Sequence, residues 1–202
     1  MLLAAAITSA ASAQAPSAPV ERAERSVGVV RLDGHLDDPA WAAAPVTDAF
    51  TQIDPEEGKP ASQRTEVRVL YDNDALYVGV RLHDSGPITG RLGRRDMDLG
   101  DSDWFGVMLD SYHDHRTAFG FDVNPAGVRR DEIKTINHDD NAWDAVWEVA
   151  TSVDSAAWKA AFSSLPVRAP SMNSLTASAV MSYFFSTGSA GLPGRIAIAR
   201  KH

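Results

Sequence analysis

The sequence predicts an all-β chain folded as an antiparallel β-sandwich, with one short N-terminal helix. Several short runs alternate bulky residues with small or polar ones at a period of two, which is the signature of half-buried strands. Turn-forming residues separate those runs at short intervals. One stretch, Asp101 to Glu132, reads as three consecutive strands forming a meander with one apolar face.

Along the chain, residues 1–13 have the apolar core and small residues of a secretion signal, and Ala11-Ser12-Ala13 fits the cleavage pattern. The positive start usual for such signals is missing. Residues 14–28 are rich in Ala, Pro and Ser and then charged, as expected of a flexible linker. The folded part is expected over 29–162. Val29 to Leu32 is expected to be a short strand and Asp33-Gly34 a turn. Asp38-Pro39 supplies an N-cap and a first-turn proline for a helix through Ala44, with Trp41 as a core plug. Residues 54–65 are a loop by composition. Strands follow at Glu66–Tyr71 and Ala75–His83, and Ser85 to Gly100 is a charged loop.

Within the meander, Phe105, Val107 and Leu109 alternate with Trp104, Gly106 and Met108, and Phe119, Phe121 and Val123 with Ala118, Gly120 and Asp122. Directly opposed residues share a face, so odd must pair with odd. Asn124-Pro125-Ala126-Gly127 is a tight turn, since proline presets one dihedral and glycine accepts positive φ. An acidic loop around Asp139-Asp140 leads to a strand near Val146–Val153, and another begins at Trp158.

Composition removes several functions. Hydrophobic content of 44% and charged content of 23% are ordinary for a globular domain. The absence of cysteine excludes disulfides, iron–sulfur clusters and thiol catalysis. A net charge of -8 argues against nucleic acid as a partner. No phosphate loop, nucleophile elbow or HExxH motif is present, so catalysis by this chain alone is not expected.

Four ordered motifs carry a resemblance: RLDGHLDDPAWAAA (31–44), ALYVGVRLHD (75–84), DSDWFGVMLD (101–110) and WDAVWEVATSVDSAAW (143–158). Over about residues 29–160 the chain resembles the family 9 carbohydrate-binding modules, a jelly-roll-like sandwich related to the DOMON superfamily. More narrowly, it resembles the N-terminal domain of large bacterial exported proteins ending in an outer-membrane-type β-barrel. The resemblance implies non-catalytic binding of an oligo- or polysaccharide, structural calcium in some members, and frequent association with glycoside hydrolases and carbohydrate catabolism. It also implies a periplasmic or outer-membrane-associated location. Docking on a barrel partner is the competing role. Where sugar-binding members place a tryptophan before the strand matched by Asp103–Asp110, this chain has Met97, Leu99 and Gly100, so that clamp does not carry over.

The glycines at 79, 106 and 120 fall on strand positions facing away from the core. Such glycines mark either a bulky neighbour or bulge, or a place where a ligand approaches the backbone. The second reading gives a carbohydrate site of Tyr77, Arg81, Trp104 and Asp122, helped by Arg95 and Trp143 from loops: aromatic rings to stack, charged groups to orient hydroxyls. Asp101 and Asp103 are the candidate calcium ligands, because calcium takes hard oxygen donors. His113 and His115 flank Asp114 but lack two further ligands for structural zinc.

Residues 163–202 read differently. All 27 acidic residues lie in 1–154, which carries -13, whereas 155–202 carries +5. Either this is a genuine basic tail or the reading frame changes near residue 161.

Overall fold

The computed structural model describes residues 23–163, apart from 55, 99, 101, 113 and 115, together with the segment 195–197. The expected signal (1–13), most of the tail, Asp101, His113 and His115 lie outside the described residues.

Two antiparallel-dominated sheets face each other, as the alternation predicts. The first takes β1 (Ala23–Arg25), β3 (Thr65–Tyr71), β4 (Leu76–His83), β9 (Glu148–Val153) and β10 (Ala157–Ser163), in the order β1-β3-β4-β10-β9. The second is the meander β5 (Phe105–Leu109), β6 (Thr117–Val123) and β7 (Arg129–Thr135), with the two-residue β8 (Asp139–Asp140) at its edge. A short ribbon pairs β2 (Thr51–Asp54) with β11 (Arg195–Ala197), and α1 spans Pro39–Ala43.

The odd-with-odd rule holds in the meander: Leu109 opposes Phe119, Val107 opposes Phe121 and Phe105 opposes Val123. The Asn124–Gly127 turn closes with a Gly127 N–H to Asn124 carbonyl bond of 2.9 Å, and Gly127 sits at φ 79°. The core lies between the sheets. Val67, Val78, Val80, Leu82, Trp158 and Phe162 of the first sheet meet Phe105, Val107, Phe121 and Val123 of the second. Aromatic rings join the layers: Trp147 stacks on Phe162 at 5.6 Å and meets Phe121 edge-on at 5.4 Å, while Phe105 lies 5.6 Å from Phe162. Each such ring contributes about 1.5–3 kcal/mol by burial alone.

Three expectations need correction. Residues 29–32 form no strand. The edge position goes to β1, inside the expected linker, where Ala23–Arg25 pairs parallel with Val69–Tyr71. It is held there by a Ser26 N–H to Tyr71 carbonyl bond of 2.8 Å, an Arg25–Asn73 bond of 2.7 Å, and Arg25 over the Tyr71 ring. Asp38 occupies the N-cap of α1, but its carboxylate accepts from the Arg31 backbone N–H and Nε, both at 2.9 Å, and caps nothing. Finally, β2 takes residues 51–54 and so runs one residue into the loop expected at 54–65.

Outside the first sheet, α1 lays Trp41 across Gly79. A Cβ on Gly79 would stand 2.8 Å from the Trp41 ring and 2.9 Å from Leu36. Gly34, at φ +79°, presses on the Thr151 backbone, and its carbonyl accepts a 2.7 Å bond from the Ser152 hydroxyl.

Candidate functional site

The outer face of the second sheet carries a continuous line of charge. Even-numbered residues of β5, β6 and β7 point to it, and the register stacks them in three rows. Gly106, Asp122 and Arg130 make the first, Met108, Gly120 and Glu132 the second, and Ala118, Lys134 and Asp139 the third. Arg130 donates from Nη1 to Asp122 at 3.2 Å and from Nη2 to Glu132 at 2.8 Å and to the Asn141 side-chain oxygen at 3.0 Å. Lys134 lies 3.1 Å from Glu132 and donates to Asp139 at 2.8 Å.

Local sequence explains the arrangement. In β7 the charges Arg130, Glu132 and Lys134 alternate with Asp131, Ile133 and Thr135, so they project to one side. A Cβ on Gly120 would stand 2.9 Å from Glu132 Cγ, so the missing side chain gives Glu132 its room over β6. Burial falls along the line. Asp122 and Glu132 are buried, whereas Lys134 and Asp139 are 38% and 51% exposed in their side chains. Burial pushes the Asp122 carboxyl up to about 7, Glu132 adds to the rise, and Arg130 and Lys134 oppose it. Burial also works against the charge on Lys134, but Asp139 and Glu132 outweigh it and hold the ammonium above its usual range. Chemically, carboxylate and cation alternate along a strip, offering acceptors and donors to neighbouring hydroxyls.

A family model described as "Carbohydrate family 9 binding domain-like" matches residues 32–184. The chain belongs to this family. The match spans both sheets and runs past Ser163 into the segment expected to fall outside the fold. No curated protein matches. Among solved structures, the chain is similar to a family 9 carbohydrate-binding module from Caldicellulosiruptor kristjanssonii in complex with glucose. That match has 15% identity and a TM-score of 0.49, covering 69% of this chain and 68% of that one. A family 9 carbohydrate-binding module from the same organism in complex with cellotriose gives 14% identity and a TM-score of 0.49, covering 70% of this chain and 66% of that one. At this distance neither identifies a ligand-contacting residue here.

In this family 9 chain, the six residues expected to form one carbohydrate site are spread over several places. Asp122 lies on the charged strip. Trp104 has the same parity but is 0% exposed, its indole N–H without a partner, so it offers no open ring for stacking. Tyr77 and Arg81 belong to β4 in the other sheet, whose outer face points to the opposite side of the sandwich. Tyr77 leans on the α1 cluster and donates to Asp72 at 2.8 Å, and burial with that carboxylate raises it to about 12. Trp143 packs on the core side, 5.1 Å from Phe119 and 6.0 Å from Phe121. Arg95 is a buckle between loops. Its Nε donates to Asp131 at 2.9 Å and its Nη2 to the Ala145 carbonyl at 3.0 Å, while Asp131 also accepts the Ala145 N–H.

Arg130, Glu132, Lys134, Asp139 and Asn141 were not placed together with Asp122 by the sequence alone. The signal was the alternation of charge in β7, which becomes legible once β6 is placed beside it. As for calcium, Asp103 is buried, accepts from the Thr89 N–H at 2.8 Å through one oxygen and leaves the other unpartnered. Burial raises it to about 6. Among the described residues no three His, Asp or Glu side chains gather closely enough to hold an ion.

Proposed function

We propose that this chain is a non-catalytic carbohydrate-binding domain whose ligand lies along the outer face of the second sheet. The observation that carries the reading is the unbroken line Asp122–Arg130–Glu132–Lys134–Asp139, in a member of a carbohydrate-binding-like family. Asp139, Asn141 and Lys134 form its accessible end and make first contact with sugar hydroxyls. The more buried Arg130 and Glu132 are aligned by their mutual bonds and set the orientation of those groups. Export, and a place beside a β-barrel in a larger envelope protein linked to carbohydrate breakdown, belong to the same proposal. They are supported by the apolar leader and the order of the four motifs.

A glycan array probed with the full chain tests this, with Lys134→Met and Asp139→Asn as variants at the open end, where folding is least affected. Retention of one or more neutral glycans, weakened at least roughly tenfold by either variant, is the expected result for a lost charge-assisted contact. Equal retention by folded variants would move the site elsewhere.

A further inference from the structure

The outer face of the first sheet is divided. One half is covered by α1, and the other carries a cluster of cations with few partners. Lys159 on β10 stands directly opposite Arg81 on β4, and Arg81 directly opposite Glu66 on β3. Arg68 is the diagonal neighbour of Arg81, and Arg64 adjoins the end of the row. Two like charges directly opposed across a sheet repel at a Cβ separation of about 5 Å. Little here neutralises them. Lys159 bonds Asp154 at 2.9 Å, but Arg81 reaches the same carboxylate only at 3.7 Å. The Arg81 guanidinium makes no hydrogen bond among the described residues, and its Nε is buried without a partner. Arg68 has only a 3.8 Å approach to Glu66, whose shorter contact, at 2.8 Å, goes to Arg64. His83 Nε2 is likewise buried and unbonded, 3.7 Å from Glu66.

Counting Arg64, Arg68, Arg81 and Lys159 against Glu66, Asp154 and Asp48, which lies 3.4 Å from Arg64, this row is still positive, while the chain as a whole carries -8. A positive row with unspent donors on a negative protein suits an oxyanion held locally, since the surrounding field repels anions in general. Guanidinium forks match planar carboxylate and sulfate groups. We propose that this face binds an acidic polysaccharide through its carboxylate or sulfate groups, with Arg81 and Lys159 as the central pair and Arg68 beside them. The choice of polymer rests on the carbohydrate reading above; the anion site itself does not.

The test is affinity electrophoresis of the full chain in gels containing dextran, dextran sulfate or polygalacturonate, with vesicles containing phosphatidylglycerol as a separate probe. The two acidic polymers should retard the chain and plain dextran should not, with retardation lost as salt rises from about 0.05 M to about 1 M. Comparing sulfate with uronate tells which anion is preferred. The double variant Arg81→Gln/Lys159→Gln should bind acidic polymer at least roughly tenfold more weakly, with Tm little changed because the relieved repulsion offsets the lost Lys159–Asp154 bond. Should the double variant misfold, Lys159→Gln alone reads the same contact. Acidic polymers that fail to retard the native chain, a folded variant that binds as well as the native chain, or capture by vesicles without capture by polymer would each overturn the proposal. The neutral-glycan result with Lys134→Met is read separately, so either site can fail alone.

Discussion

Gly79 and Gly120 occupy equivalent-looking places, each mid-strand, facing outward and flanked by bulky neighbours, yet they serve opposite ends. Over Gly79 the space is filled by the Trp41 ring and Leu36, which seals the sheet. Over Gly120 it is filled by the Glu132 side chain, one link in a charged strip. A missing side chain thus marks close approach without saying what approaches; an apolar plug makes it packing, and a polar one makes it a candidate surface.

The comparison can be broken at its packing end first. Trp41→Ala should cost about 3–5 kcal/mol, as for other buried tryptophans, and chemical denaturation measures it. Gly79→Ala should cost about 1–3 kcal/mol by overpacking, and almost nothing further in the Trp41→Ala background, since the ring it would strike is gone. Additive costs in that double-mutant cycle would show that Gly79 is not there for Trp41. At the other end, Gly120→Ala meets only a flexible side chain. It should cost under about 1 kcal/mol while displacing Glu132 and weakening glycan retention. Unchanged retention would detach Gly120 from the site.

The last effect is in pH. The folded Asp122 carboxyl titrates at about 7, against an ordinary value near 4. Between those values the unfolded chain releases a proton that the folded chain keeps, so stability falls as pH rises and levels off above 7. Asp103, at about 6, acts in the same direction over the lower part of that range. In Asp122→Asn the decline in Tm should therefore end near pH 6. A decline continuing unchanged to pH 7 would assign it to another group.

The strands were legible because each writes its own period: Phe105, Val107 and Leu109 need no partner to declare a face. Trp41 was legible as a plug because it follows a helix start. Which sheet a strand joins was not legible, because pairing is non-local. Leu82 of β4 opposes Trp158, far along the chain, and nothing near Leu82 says so. Tyr77 and Arg81 therefore shared a face with Trp104 and Asp122 on paper and lie on opposite sides in space. Trp143 depended on how a loop folds back, and Arg95 on Asp131, which carries a charge at a core-facing position.

The place of β10 has a consequence for how the chain matures. This strand, the last of the two main sheets among the described residues, lies between β4 and β9 and carries Phe162 into the aromatic stack. Until Ser163 has emerged from the ribosome or a translocation pore, β4 and β9 each present an unpaired edge, open to pairing with other chains. The first sheet therefore closes only once β10 is in place, and a chaperone that shields strand edges has most to do just before synthesis of this strand is complete.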